Sequence, residues 1–100
     1  MKRIFVSHPL YSEGDVAENM KKVDFICRDI LEEGHLPISP LHLFGFVDEE
    51  TPKLRIKILK FCHDMIKICD ELRSYGDQGG CKVEKRWAER FNVPVIDMRE

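Results

Sequence analysis

Four short apolar runs alternate with three stretches of helical periodicity over the whole chain, and this alternation restricts the fold more than any other feature. The runs fall at residues 2–6, 35–39, 70–75 and 93–97, each the length of a strand. After the first, Val16, Met20, Val23, Cys27, Ile30 and Leu31 recur at helical spacing and stop at Gly34, the position where glycine closes a helix. Thr51-Pro52 opens a second helix, with threonine as N-cap and proline at the first helical position. Its buried face is read as Leu54, Ile58, Phe61, Cys62, Met65, Ile66 and Cys69. A third helix covers residues 81–91, with Val83, Trp87, Ala88 and Phe91 inward. Residues 11–15 carry turn and cap chemistry, and residues 41–50 form a loop containing Leu43, Phe44, Phe46 and Val47. Arg73 interrupts the third strand, and Asn92 makes the turn into the fourth.

The order βαβαβαβ implies parallel strands, right-handed crossovers and helices on both faces. The expected fold is α/β: a Rossmann-like, flavodoxin-like three-layer sandwich on a four-stranded, mainly parallel sheet. One hundred residues suit a single domain, residues 1–100. In such folds a ligand lies beyond the carboxyl ends of the strands, where strand order reverses. The loops expected to meet there are residues 7–11, 39–46 and 76–80.

Composition narrows the partners. With 43% hydrophobic and 34% charged residues the chain reads as globular rather than disordered. A net charge of −2 argues against a nucleic-acid partner, which calls for a basic excess. No apolar run approaches the ~20 residues of a membrane span. The apolar start of the chain stops at Ser7-His8, too soon for a signal peptide, so a cytoplasmic location is expected. The four cysteines, Cys27, Cys62, Cys69 and Cys81, include no CxxC pair and are read as buried thiols. His8, His35, His42 and His63 show no ligand spacing with them, so no metal is expected.

The chemistry concentrates in Tyr75-Gly76-Asp77-Gln78-Gly79-Gly80-Cys81-Lys82-Val83-Glu84. It reads as a strand end, a glycine loop, and a helix with a carboxylate in its first turn. Glycines let backbone approach a ligand, and the N–H groups of Ser7, Gly79 and Gly80 suit an anion, which favours a phosphorylated ligand. Glu84 reads two ways, as an acid drawn to a helix start by the dipole or as a functional carboxylate. Asp70 is a strand cap or a site acid, Asp77 a turn former or a ligand contact, and His8 and His42 loop residues or ligand contacts. Phe44-Gly45-Phe46 is either a lid over a base or a subunit contact, and Lys82, Lys85, Arg86 and Arg90 form a solvated helix face.

Four segments carry a resemblance: Ile4-Phe5-Val6-Ser7-His8-Pro9-Leu10-Tyr11, Gly34-His35-Leu36-Pro37-Ile38-Ser39-Pro40-Leu41-His42, Cys69-Asp70-Glu71-Leu72, and Gly80-Cys81-Lys82-Val83-Glu84 with Ala88. Together they resemble the nucleoside 2-deoxyribosyltransferase-like superfamily over nearly the whole chain, closest to its short, often phage-associated relatives of unassigned activity. The resemblance implies a nucleoside or nucleotide ligand and a glutamate nucleophile that attacks the anomeric carbon; by spacing from the glycines this is Glu84. It implies Asp70 as a second catalytic acid, and Ser7, His8, Pro9, Tyr11, His42, Phe46, Asp77, Gly79 and Gly80 as substrate contacts. It implies no metal or organic cofactor, and a homodimer or larger homo-oligomer. The sequence departs from the pattern at Phe5, where the transferases carry a tyrosine, and at Gln78, where a serine is common. A binding aspartate expected near Cys62 is missing, as is the fifth strand of the full-length fold. These departures leave open a nucleotide-sequestering protein without turnover, or a structural oligomer with a vestigial site.

Overall fold

Eight elements follow one another in a computed structural model that describes residues 1–10, 14–48 and 51–99. They are β1 (Arg3–Ser7), α1 (Val16–Glu32), β2 (Leu36–Ile38), α2 (Pro40–Leu43), α3 (Pro52–Lys67), β3 (Glu71–Ser74), α4 (Gly80–Arg90) and β4 (Val95–Asp97). The four strands pair in the order β2-β1-β3-β4, and all three pairings are parallel. The chain moves from β1 out to β2, then crosses back over β1 to β3 and continues to β4. The order therefore reverses between β1 and β3.

The helices divide between the two faces as crossovers of one hand require. Ile4 and Val6 of β1 pack with Val23 and Ile30 of α1. Phe5, the alternate residue, packs on the other face with Cys62 and Ile66 of α3, Leu72 of β3 and Ala88 of α4. Central β1 is thus covered on both sides, and its residues from Ile4 to Ser7 are fully buried. The result is the expected three-layer α/β sandwich.

Local chemistry sets the helix ends. The Thr51 hydroxyl accepts the Leu54 N–H at 3.2 Å, with Pro52 beside it at the helix start. Past α1, Gly34 takes φ +88°; its N–H reaches the Leu31 carbonyl at 3.0 Å, and the His35 N–H reaches Ile30 at 3.1 Å. This is a glycine-closed Schellman turn. Asn92 repeats it after α4 at φ +58°, with Val93 N–H to the Ala88 carbonyl at 2.8 Å.

Several expectations need correction. The stretch 41–50 is not all loop, because Pro40 at a helix start seeds the short α2. Leu31 (64% exposed), Phe61 (54%), Leu54 and Val83 lie outside the core. Each helix rests on the sheet along a narrow line, so the flanks of its apolar stripe stay in solvent. Arg73 does not break β3. Its Nε meets Glu71 and its guanidinium also meets Glu33, both at 2.8 Å, while Lys2 reaches Glu71 at 3.2 Å. Burial pushes the Glu71 carboxyl up, but hydrogen bonds from Arg73 and Lys2 outweigh it and hold the carboxyl below its ordinary value. None of the described helices is long and apolar enough to cross a membrane.

Candidate functional site

A cleft of about 360 Å³ opens beyond the carboxyl ends of β1 and β3, where strand order reverses. His8, Pro9 and Leu10 form its β1 wall. Pro40, Leu41, Phe44 and Gly45 supply the α2 wall, and Arg55, Ile58, Leu59 and Cys62 the α3 wall. Gln78, Gly80, Cys81 and Glu84 close the fourth side. Apolar side chains dominate, with a few convergent polar groups, the composition of a small-molecule site.

The loops after β1 and β3 are packed against each other. The Tyr75 N–H donates to the Ser7 carbonyl at 2.8 Å, which extends the strand pairing into the loop. Gly76 is needed at the contact: a Cβ there would lie 2.9 Å from Pro9 Cδ and 3.1 Å from Cys81 Sγ. Gly79 caps α4 at φ 57°, ψ −129°, a conformation that suits glycine alone. Together these glycines turn the chain sharply enough for α4 to start over the end of β1.

Glu84 lines the cleft at the end of β1. The Ser7 hydroxyl, fully buried at the end of β1, donates to Glu84 Oε1 at 2.7 Å. Burial pushes the carboxyl up from an ordinary 4.5 to about 7, against the opposing pull of the Ser7 hydroxyl and the Arg55 guanidinium. One expectation changes here. α4 begins at Gly80, so Glu84 is in the second turn rather than the first. The dipole effect is concentrated in the first turn. Burial therefore governs this carboxyl, and near neutral pH its ionised and protonated forms coexist.

The other site residues separate into two groups. Ser7, His8, Pro9 and Gly80 meet at the cleft with Glu84, and Gly79 adjoins it as the helix cap. His8 Nδ1 lies 2.7 Å from the Pro9 carbonyl, which can only accept, so Nδ1 carries the proton. Asp70, expected as a catalytic acid, stands at the opposite end of the sheet. It precedes β3 and accepts the Arg3 backbone N–H at 2.7 Å, binding the starts of β1 and β3 together. Asp77, expected as a ligand contact, is exposed and paired with Lys85 at 3.1 Å and Arg99 at 3.5 Å. His42 bonds Ser39 at 2.8 Å and Asp24 of α1, so it clamps α2 to α1 while Leu41 and Phe44 line the cleft. Phe46 is 79% exposed and off the wall that its neighbour Phe44 forms. Tyr11 lies outside the described residues.

Arg55 and Asp48 are cleft residues that the sequence reading did not single out. Arg55 had a signal: it precedes Ile58 by three, Leu59 by four and Cys62 by seven, so it shares their helix face. Cys62, on the same wall, is pushed up by burial to about 12 and stays a neutral thiol. Among the described residues no cluster of three or more His, Cys, Asp or Glu side chains could hold a metal ion.

A family described as a domain of unknown function (DUF7768) matches residues 2–98. No curated protein matches the chain. Among solved structures, the 2-deoxyribosyltransferase of Bacillus psychrosaccharolyticus superposes with TM-score 0.78 at 21% identity, covering 97% of this chain and 72% of the other. The CMP N-glycosidase of Clostridium botulinum gives TM-score 0.65 at 18% identity, over 98% of this chain and 71% of the other. The 2-deoxyribosyltransferase of Leishmania mexicana gives 0.66 at 16%, over 99% and 65%. At these identities the likeness is one of fold.

Proposed function

Because the chain belongs to the DUF7768 family, in which membership assigns no activity, we propose from its own site that it binds a nucleoside or nucleotide and cleaves or transfers the N-glycosidic bond. The observation that carries this reading is the Glu84 carboxylate, half-buried in the cleft and held at 2.7 Å by Ser7. The fold it shares with proteins described as deoxyribosyltransferases and a CMP N-glycosidase supports it.

In the first step a Glu84 oxygen forms an ester bond to the anomeric carbon. The bond to the base nitrogen breaks, and the base departs with that electron pair and gains a proton. In the second step water or another base attacks the same carbon, the ester opens, and Glu84 regains its carboxylate. Splitting one displacement into two is the gain from a covalent nucleophile. Only the ionised carboxylate attacks, so the rate rises with pH through about 7. Phe44 and the aliphatic wall give a base an apolar surface, and the Gly80 segment and Arg55 face its polar end.

A second reading, binding without turnover, draws on the placement of Asp70 and Asp77 outside the cleft. It would suit a protein that sequesters a nucleotide, as in a phage–host conflict. A homo-oligomer belongs to either reading, with exposed Leu43, Phe61 and Ile68 as apolar contact surface. The readings separate on incubation with a panel of deoxynucleosides and nucleoside monophosphates, followed by chromatography for free base. Release by the parent but not by Glu84→Ala supports the nucleophile, and equal release by both refutes it. No release, with melting temperature raised by ligand, selects sequestration.

A further inference from the structure

We infer that Ser7 is the positioning residue for Glu84, with a hydroxyl at the end of β1 that fixes which carboxylate oxygen faces the ligand. The inference rests on the glycosyl chemistry proposed above, and it follows from how β1 and α4 lie together.

Alternation along β1 sends Ile4 and Val6 toward α1 and leaves Phe5 and Ser7 facing α3 and α4. α4 starts at the carboxyl end of the sheet and runs back toward the start of β4, antiparallel to β1. Glu84 and Ala88, four residues apart, share one face of α4 and are separated by about 6 Å along its axis. Phe5 and Ser7 are separated by about 6.6 Å along the strand. The two spacings match, so contacts form in pairs: Phe5 and Ala88 lie in the same buried cluster, and one turn nearer the cleft Ser7 meets Glu84 at 2.7 Å.

Ser7 has little freedom to do anything else. It is fully buried, its carbonyl accepts the Tyr75 N–H at 2.8 Å, and its Cα is in register with Ser74 of β3. A serine hydroxyl has one proton to donate, and this one goes to Oε1. Oε2 is then the oxygen that attacks. The hydrogen bond also favours the ionised carboxylate, in opposition to burial. The other ionisable groups around the cleft are His8, Asp48, Arg55, Cys62 and Cys81, and none of them changes in the test.

The test compares the parent with Ser7→Ala and Ser7→Thr, each checked for folding by circular dichroism and thermal melting. Two readouts are taken: pH-dependent kcat and KM for base release, and the carboxyl titration of Glu84 by carbon-13 NMR, assigned with Glu84→Gln. Ser7→Ala is expected to lower kcat roughly 10- to 100-fold, the scale of one hydrogen bond to a charged group, with KM nearly unchanged. Its acid limb and its NMR midpoint should both move to higher pH, and Ser7→Thr should bring both back toward the parent. An NMR midpoint that stays in place in folded Ser7→Ala overturns the inference. So does a Ser7→Ala protein with parental kcat, or a folded Ser7→Thr that restores nothing. Should threonine fail to fold in this tight site, the Ser7→Ala midpoint decides alone. A shifted midpoint in a protein that releases no base from any nucleoside sinks the glycosyl reading and leaves the hydrogen bond standing.

Discussion

Glu84→Gln should make the protein more stable at alkaline pH while removing its proposed chemistry. In the folded chain burial lifts the Glu84 carboxyl from 4.5 to about 7. A group whose folded value is raised contributes stability that is fully present below its unfolded value. That contribution is lost as pH rises through the folded value, because ionisation then disfavours the buried state. At about 1.4 kcal/mol per pH unit, the interval from 4.5 to about 7 corresponds to about 3 kcal/mol, an order-of-magnitude figure. Glutamine keeps an oxygen for the Ser7 hydroxyl and carries no charge to bury. Relative to the parent it should gain stability above pH 8, approaching 3 kcal/mol, and gain almost nothing at pH 4. Urea unfolding of both proteins from pH 4 to pH 9, read by circular dichroism, measures the difference directly. A stability difference that does not vary with pH would refute the reasoning, since it would mean that Glu84 titrates alike in the folded and unfolded chains.

Three further substitutions test the fold around the site. Gly76→Ala should lower stability by about 1–3 kcal/mol, because its methyl would sit 2.9 Å from Pro9 Cδ; a chemical melt equal to the parent's would show that the loops part without cost. Asp70→Asn should leave base release unchanged, since Asp70 is at the far end of the sheet, and a large loss of kcat would return it to the site. Arg73→Met should destabilise by about 1–3 kcal/mol, because it strips Glu71, whose side chain is 4% exposed, of its closest cation and leaves Lys2 at 3.2 Å as its partner; a parental urea midpoint would contradict this.

Among the described residues, the alternation of short runs and helical stretches is enough to place the four strands and three of the four helices, because the periods 2 and 3.6 are local properties. α2 escaped because one turn of helix carries no period; its only signal was Pro40. The rule that puts ligands beyond the carboxyl ends of strands also bears on Asp70, which precedes β3 and so belongs to the amino end. The sequence motif around it hid that. Asp77 was misplaced for a different reason: one of its partners, Arg99, arrives only after the last strand, and no local pattern announces it. Arg55 was hidden in a different way, as a polar residue in phase with an apolar stripe, which reads as helix surface until a cleft is seen above it. The Ser7–Glu84 bond joins residues 77 apart and depends on the register of α4 over β1. Spacing within either segment does not contain it.

What the structure adds is a physical ground for choosing among the acids. Asp70, Glu71, Asp77 and Asp97 are all held below their ordinary values by nearby cations or N–H donors, and each gains more by being ionised than it loses by being placed where it is. Such acids already have their partners within the chain. Glu84 is shifted the other way, by burial that Ser7 and Arg55 offset only in part. A carboxylate in that position is destabilising in the empty protein, as the glutamine substitution tests. Its free energy falls when something beside it takes up negative charge, whether an anomeric carbon gaining positive character or a covalent bond to that carbon. An environment that penalises the free anion while one hydroxyl keeps it aimed separates Glu84 from the four paired acids, and it is on this difference that the proposed role of Glu84 rests.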